Sequence, residues 1–510
     1  MAFTSILFAD GAERLEARLG RAPVFFTDLN LNQIVAAITR GKDEYDLKPF
    51  FHCPLHDEDV INYRHAVMKD LEDSRLLGVI ETFAEGMRVV REHLTQSEKR
   101  YSAEQKQRWL LDAVALYIKT VRRLIDELSD IQLHSPGFAA FASYLAEYAH
   151  SDRFTLLIAQ TEGLAAELST IRYNVVTQGL VVEIRPYGGE ADYGAEVEGA
   201  FARFSQSTAR TYSFEFGDSP DLDTVERAIL RKVAELHADT FARLDRFCVS
   251  NQDFVDPQLR RFDREVQFYV AYLNYIAPLK QAGLPFCYPH VSRTDKQVCA
   301  RDAFDLALAA KLLSKGTVPV CNNFELHDLE RIIVVSGPNQ GGKTTFARMF
   351  GQLHYLGSLG CPVPGTGARL FLPDQIFAHF ERAEKMTNLR GKLQDDLVRI
   401  HDVLASATPQ SILVVNEIFA STTLRDATFL SKKIAERIMA LDALSVWVTF
   451  IEEVGALSAK TISMVATVTP DNPDQRTFKI VRRPADGLAY AKSIAEKYRL
   501  TYEQITDRIG

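Results

Sequence analysis

Gly337-Pro338-Asn339-Gln340-Gly341-Gly342-Lys343-Thr344-Thr345 decides the reading of this chain. From Gly337 to Thr344 it fits the spacing G-x-x-x-x-G-K-[ST], a glycine loop whose backbone N–H groups cradle phosphate. Before it stands Ile332-Ile333-Val334-Val335, an apolar run of buried-strand type; after it Phe346-Ala347-Arg348-Met349-Phe350 continues as helix. Strand, glycine loop and helix, in that order, set a helix N-terminus against an anion. In such a loop Lys343 reaches the β- and γ-phosphates of a nucleotide and the Thr344 hydroxyl sits on Mg²⁺. A glycine-rich turn with an accidental lysine would lack these flanks.

Working outward, a nucleotide hydrolase also needs an acid at the end of a second strand. Ser411-Ile412-Leu413-Val414-Val415 is such a strand, and it delivers Asn416-Glu417. Glu417 can orient or activate the attacking water. Asn416 stands where an aspartate usually helps hold Mg²⁺; its amide can accept from a metal-bound water but adds no charge. Further strand candidates are Ser445–Thr449 and Met464–Val468, with helical stretches between most of them. Alternating strands and helices predict a mainly parallel sheet covered on its faces. Pro362-Val363-Pro364-Gly365 reads as a loop.

Upstream the pattern is helical. Residues 1–100 read as mostly helix, with a loop around Lys48-Pro49-Phe50-Phe51. Ser102 and Gln105 form a capping box, and Leu110, Val114, Tyr117, Ile118, Val121, Leu124, Ile125 and Leu128 share one helical face. Helix covers much of 137–170. Between about 171 and 217 the period changes: Gly179–Ile184 and Thr211–Phe216 read as strands, with turn chemistry at Pro186 and Gly188-Gly189. Helix resumes after Asp221 with Val225, Ile229, Leu236, Leu244 and Phe247 on a loose apolar face, and a second helix spans about 257–277, ending before Pro278. The layout is an arm: helix out, small β tip, helix back.

Composition sets the outer limits. With 510 residues, 46% apolar and 25% charged, the chain can build two or more domains with large cores. Six scattered cysteines without a C-x-x-C pair favour a reducing, cytoplasmic setting over a disulfide framework or a zinc site. Asp10 and Glu13 interrupt any signal-peptide pattern, and no uncharged apolar run spans a bilayer. With a net charge of −8, any contact with nucleic acid must come from a local basic surface.

The loop resembles the G-P-N-x-G-G-K-[ST]-[ST] loop of the MutS mismatch-repair ATPase family, a form much more specific than the general phosphate loop. Flanking segments match in order. Asn322 falls where the family has a nucleotide-contacting asparagine, and Asp374-Gln375-Ile376-Phe377 resembles the segment after the loop's helix. Asn416-Glu417-Ile418 with Ser421-Thr422-Thr423 and Asp426 resembles D-E-I-G-R-G-T-S-T-x-D, and Gly487-Leu488-Ala489 with Ala495 resembles the closing G-L-x-x-A. The helical arm with its tip is similar in layout to the family's lever and clamp. The resemblance implies a multidomain α and α/β protein. Residues 1–300 would form a helical lever or core with a clamp-like β insertion at about 171–217. Residues 301–510 would form a P-loop ATPase domain of ABC type with a mainly parallel sheet. It implies a chain that begins near the lever, without mismatch-reading and connector domains, and that ends without a nuclease domain. It implies ATP and Mg²⁺ as cofactors, bound through Asn322, Gly337, Pro338, Asn339, Gln340, Gly341, Gly342, Lys343, Thr344 and Thr345. Glu417 and Lys343 would be catalytic, and Thr344 and Asn416 would attend the metal. DNA and a second copy of the chain, docked through the ATPase domains, would be its partners, with no membrane.

The sequence also departs from the family. The family's strand aspartate is Asn416 here. The family's histidine on the next strand is replaced in Val448-Thr449-Phe450, and Phe450 cannot hydrogen-bond a γ-phosphate. Leu389-Arg390-Gly391-Lys392-Leu393 has Gly391 at a serine position. Hydrolysis is therefore expected to be slow. The tip carries Arg172, Arg185, Arg203 and Arg210 against Glu183, Glu190, Asp192, Glu196, Glu198 and Glu215, so it is net acidic where a grip on DNA calls for basic charge. An ATP-gated protein scaffold that does not grip DNA stands as the alternative. An ABC- or SMC-like machine fits less well: no L-S-G-G-Q segment is present, and an SMC protein splits its ATPase between the chain ends.

Overall fold

The computed structural model describes residues 3–9, 21–179, 181–189, 222, 224–381, 391–469, 472–484 and 505–506. In chain order the first helices are α1 (Leu31–Ile38), α2 (Lys48–His52) and α3 (Glu58–Asp70). The stretch expected as a loop around Lys48–Phe51 is thus helical. Pro49 lies in the first turn, where its missing N–H costs nothing, and Phe50 and Phe51 are buried. Then follow α4 (Ser74–Lys99), α5 (Ala103–Ser129), α6 (Pro136–Ala149) and α7 (Asp152–Thr170). In α5, Ser102 Oγ accepts from Gln105 N at 3.1 Å. Val114, Tyr117, Ile118, Val121, Leu124 and Leu128 of its expected stripe are buried.

The expected insertion contains an antiparallel hairpin, β1 (Tyr173–Gln178) with β2 (Val181–Pro186), in register Tyr173↔Pro186. Gly179 has φ 61 and belongs to the turn, so β2 starts two residues later than read from the sequence. Thr211–Phe216 lies outside the described residues. Helices α8 (Thr224–Leu236), α9 (Ala238–Ser250) and α10 (Pro257–Gln281) follow. Contrary to expectation α10 continues through Pro278. The ring removes the one bond that an N–H there would give to the carbonyl of Asn274, and three more helical residues follow. Buried Leu279 and Leu284 fix that end, with Leu284 N donating to Leu279 O at 3.1 Å.

The last part is α/β. Strands β3 (Phe286–Cys287), β4 (His290–Ser292) and β5 (Val298–Ala303) lead to helix α11 (Leu306–Leu313), then β6 (Asn322–Leu326), β7 (Ile332–Ser336) and helix α12 (Lys343–Ser358). Next are β8 (Val363–Pro364), β9 (Gly367–Phe371), β10 (Ile376–Phe380), helix α13 (Lys392–Ser406) and β11 (Ile412–Asn416). Helix α14 (Leu424–Leu441), β12 (Leu444–Val448), β13 (Thr461–Thr469) and β14 (Asn472–Arg482) complete the series. The stretch Pro362–Gly365 is not all loop, because Val363 pairs with Cys287 and Pro364 with Phe286.

The main sheet has the order β10-β11-β12-β7-β13-β14. Every pairing in it is parallel except β13 with β14. Strand β7 is buried along its whole length, which explains its unbroken apolar run. Each fully buried Ile or Val there contributes about 1.5–3 kcal/mol. Ile400 of α13 and Ala427, Ile434 and Ile438 of α14 cover one face with Leu413, Val415 and Trp447. Register then sets one level across the sheet: Asn416 pairs with Val448, and Val448 with Val335. The residues that follow these strands emerge along the same edge. A second sheet has the order β4-β9-β5-β6.

By packing, the chain forms two compact units: Met1–Ser74, Leu133–Ala140 and Arg264–Gly510 in one, Arg75–Gln132 and Phe141–Asp263 in the other. The first unit therefore unites residues 1–74 with the α/β part. Arg348 Nε donates to Asp28 O at 3.0 Å, Gln352 Nε2 to Leu29 O at 2.9 Å and Tyr355 Oη to Phe51 O at 2.8 Å. A Cβ on Gly351 would lie 2.7 Å from Leu29 Cδ1. Helix α12 is thus enclosed by chain from both ends of the sequence. The second unit is helical apart from its hairpin among the described residues. Its centre includes the stacked rings of Phe141 and Phe262 and a pair of phenols, Tyr117 and Tyr148, with oxygens 2.9 Å apart.

Candidate nucleotide-binding site

The loop after β7 depends on its glycines. Gly337 has φ +111, and a Cβ there would meet Ala466 O at 2.9 Å; a Cβ on Gly341 would meet Pro338 O at 2.9 Å. Gly342 has φ +92 and ends the loop at the start of α12. Gln340 adds a third residue of positive φ, at 61°. No side chain caps α12. Its first N–H groups have no intrahelical partner, and the helix dipole adds positive potential for an anion.

Lys343 is buried and folded back on the loop. Its Nζ donates to Gly337 O at 3.0 Å, Pro338 O at 3.2 Å and Asn339 Oδ1 at 3.3 Å. Burial pushes its pKa below the usual lysine range; the Glu417 carboxylate, with Oε1 3.9 Å from Nζ, opposes this, and Arg476 adds to it. Glu417 itself has φ 51, and its N–H donates to Val448 O at 2.9 Å. That bond fixes the turn after β11, so the carboxylate faces the loop. Asn416 is 7% exposed, and its Oδ1 has no hydrogen-bond partner among the described residues. A buried orphan acceptor beside Glu417 is the arrangement that a metal-bound water would complete.

Lys343 and Glu417 border a cavity of about 760 Å³, and Asn416 is not among its lining residues. Asn339, Gln340, Gly342, Lys343, Thr344, Thr345 and Glu417 line it at the loop end, and Asn322 lines it farther out. Among the described residues no three His, Cys, Asp or Glu side chains converge as a metal cage. An ion arriving on phosphates would meet the Thr344 side chain, which lines the cavity.

Asn322 is placed at the site, but its amide is engaged elsewhere. Nδ2 donates to Val320 O at 3.3 Å and Phe478 O at 3.1 Å, and Oδ1 accepts from Ile480 N at 2.8 Å. It ties β6 to β14. Two neighbours of the loop escaped sequence reasoning. Phe478, with φ 57, borders the cavity, and Arg476 Nε donates to Asn339 O at 3.2 Å. Both lie on β14, more than a hundred residues downstream, in a stretch with no local signal beyond strand pattern.

Phe450 is half exposed and is not among the residues lining the cavity. Thr449 before it is buried, its N–H donating to Val335 O at 3.1 Å. Asp374 accepts from Ser411 Oγ at 2.9 Å and so anchors the start of β11. Thr423 caps α14 by accepting from Asp426 N at 3.2 Å. Gly391 opens α13. Leu389, Arg390, Gly487-Leu488-Ala489 and Ala495 lie outside the described residues. The six cysteines are free thiols, and no helix among the described residues is long and apolar enough to cross a membrane.

Residues 333–497 match the family model for MutS domain V. The chain is 23% identical over 238 residues to the DNA mismatch repair protein MutS of Chlamydia trachomatis, covering 42% of this chain and 29% of that protein. It is 27% identical over 169 residues to the protein of that name from Desulfovibrio desulfuricans, 33% of this chain and 18% of the relative. For Halalkalibacterium halodurans the figures are 26% over 171 residues, 33% and 20%. The matches thus span less than a third of these relatives' length. The matched segment carries the glycine loop, Lys343, Asn416 and Glu417 in the geometry above, and it is this part of the chain, residues 333–497, that is similar to MutS domain V.

Proposed function

We propose that the chain is a MutS-like ATPase that binds ATP with Mg²⁺ at Gly337–Thr345, hydrolyses it slowly, and couples the nucleotide state to DNA in repair or recombination. The observation that carries this is the convergence of Lys343, Glu417 and the orphaned Asn416 oxygen on one sheet edge beside an uncapped helix. Lys343 leaves its loop carbonyls for the β- and γ-phosphates, and the N–H groups at the start of α12 hold the remaining oxygens. Glu417 orients the attacking water. Bound Mg²⁺ neutralises phosphate charge. Thr344 would be its side-chain ligand, and Asn416 would accept from a water on the ion. Asn416 adds no charge there, and Phe450 offers no hydrogen bond to the transferring group. Losing one preorganised contact of this kind costs on the order of 10²–10³ in rate, and two such losses need not add.

In this reading the helical unit with its hairpin acts as lever and clamp, and two copies pair through their ATPase domains. Single-turnover ATP hydrolysis, with DNA binding at several salt concentrations with and without ATP, tests it. Turnover of many ATP per second, or DNA affinity indifferent to ATP, would refute the coupling. A second reading, an ATP-gated scaffold that binds protein, is favoured by the hairpin itself. Tyr173, Val175, Val181 and Val182 are exposed there, and Arg185 is paired with Glu183. Absence of salt-dependent DNA binding would select it.

A further inference from the structure

The phosphate loop is backed by the hairpin of β13 and β14. A Cβ on Gly337 would lie 2.9 Å from Ala466 O, and one on Gly341 3.0 Å from Ala466 Cβ, so the loop rests directly on β13. On the paired strand Arg476 stands opposite Val468. Its neighbour Thr477 is fixed by donating from Oγ1 to Thr467 O at 2.9 Å. Arg476 is partly buried, and its Nε donates to Asn339 O at 3.2 Å. Lys343 Nζ donates to Asn339 Oδ1 at 3.3 Å. One loop residue therefore carries a cation on each of its two oxygens. Burial holds the Lys343 pKa down, Glu417 opposes it, and the Arg476 charge adds to it, so the guanidinium is felt at the ammonium. A guanidinium does not give up its proton in a protein, so this charge is constant. Asn339 lines the cavity, and the lysine it holds is the one that a loop of this spacing sends to the β- and γ-phosphates. The Arg476 charge thus stands behind the phosphate end of the site.

We infer that Arg476 is a specificity-determining residue of this site: held on Asn339, it sets a fixed positive charge behind the terminal phosphate and so favours a triphosphate over a diphosphate; this rests on the phosphate-loop reading above. With Mg²⁺ bound to each, ATP carries one more negative charge than ADP. Two unit charges about 8–10 Å apart, in a setting between protein and water, attract by the equivalent of about three- to tenfold in affinity. Hydrolysis and release of phosphate remove the charge to which Arg476 is drawn. The residue that favours ATP therefore also eases the departure of ADP. Arg476 acts through Asn339 and through its own field, and it is a positioning residue, not a catalytic one.

The test is calorimetric titration of the full chain, in Mg²⁺, with non-hydrolysable ATP and with ADP, for wild type, Arg476→Gln and Arg476→Lys. Glutamine can still donate to Asn339 O but carries no charge, whereas lysine keeps the charge without the planar fork. The quantity read is the ratio of the two dissociation constants, ADP over ATP. A loop that has merely loosened weakens both ligands alike and leaves this ratio where it was. Arg476→Gln is expected to lower the ratio about three- to tenfold, and the loss should shrink as salt is raised. Arg476→Lys should stay within about threefold of the wild-type ratio. A glutamine variant whose ratio moves by less than about threefold overturns the inference while leaving the ATP site intact. A lysine variant that loses the ratio as fully as glutamine overturns it too, by removing charge as the cause. If wild type binds neither nucleotide, the phosphate-loop reading falls and takes the inference with it.

Discussion

Lys343→Ala removes an ammonium that is 6% exposed and held by three neutral oxygens at 3.0–3.3 Å. A triphosphate in the loop draws that ammonium from carbonyl acceptors to anionic ones. Charge on both partners roughly doubles a hydrogen bond, so each of two phosphate contacts gains about 1–1.5 kcal/mol over the bond it replaces. The variant should lose about 2–3 kcal/mol, and its Kd for ATP should rise about thirty- to 150-fold. Stability without ligand should move in the other direction or stay put. Burial lowers the Lys343 pKa, so the folded chain disfavours its charge despite the opposing pull of Glu417. With the folded value below 10.5, the unfolded chain binds more protons in the window beneath that value, and stability rises with pH through it. The alanine variant should lack that rise. Of the residues that hold the ammonium, Asn339 lines the cavity, where water can reach its freed oxygen. Calorimetric titration with ATP, beside thermal unfolding of the ligand-free protein from neutral to alkaline pH, reads both effects. ATP affinity within threefold of wild type would remove Lys343 from the site. A large fall in ligand-free Tm with unchanged affinity would make it a structural pin of the loop.

Glu417→Gln should abolish turnover and leave ATP bound, checked by single-turnover hydrolysis; normal hydrolysis in that variant would remove Glu417 from the reaction. Asn416→Asp should raise turnover or lower the Mg²⁺ concentration needed for it, and an unchanged Mg²⁺ titration would mean that the orphaned oxygen does not serve the metal. For Asp442, burial alone would raise the carboxyl pKa, but Lys296 and then Arg331 hold it at about 2. Its stabilisation is therefore complete above the ordinary value of 3.8 and lost as pH falls through about 2. Asp442→Asn should cost about 1 kcal/mol at neutral pH after allowance for solvent screening and should flatten the acid limb of the unfolding profile; an unaltered limb refutes the pairing. Sedimentation of the full chain should show a dimer that depends on ATP and Mg²⁺, and a strict monomer under all conditions would refute pairing through the nucleotide site.

What could be read ahead of the structure was local. The apolar run at Ile332–Val335, the turn glycines and the strand ending at Asn416 carry their own periodicity, and β7, the loop and β11 lie where that periodicity puts them. Non-local matters were illegible. Asn322 reads as a polar residue opening a strand; nothing near it announces hydrogen bonds to Phe478 and Ile480. Helix α12 is buried nearly all round, and its own sequence cannot say that Leu29 lies behind Gly351. The same ignorance explains the expected boundary near residue 300, which follows sequence order, whereas packing gathers residues 1–74 with the α/β part. Local rules failed at Pro49 because a proline in a first turn removes no helical bond, and at Pro278 because the buried Ile276, Leu279 and Leu284 hold the helix end despite the one bond the ring removes.

The partners of α12 are made at very different times. Asp28 and Leu29 leave the ribosome long before Arg348 and Gln352, the residues they bond, which lie 320 and 323 positions downstream. At about 5–20 residues per second that interval is about 15–65 s. During it the early strand of chain has no helix to back, and the helix that carries the phosphate loop cannot be enclosed until most of the polypeptide exists. Contacts of such sequence separation also close slowly. The nucleotide site is therefore among the last parts of this unit to become complete during synthesis, and ATP added to a refolding mixture would report the final closure rather than the first collapse.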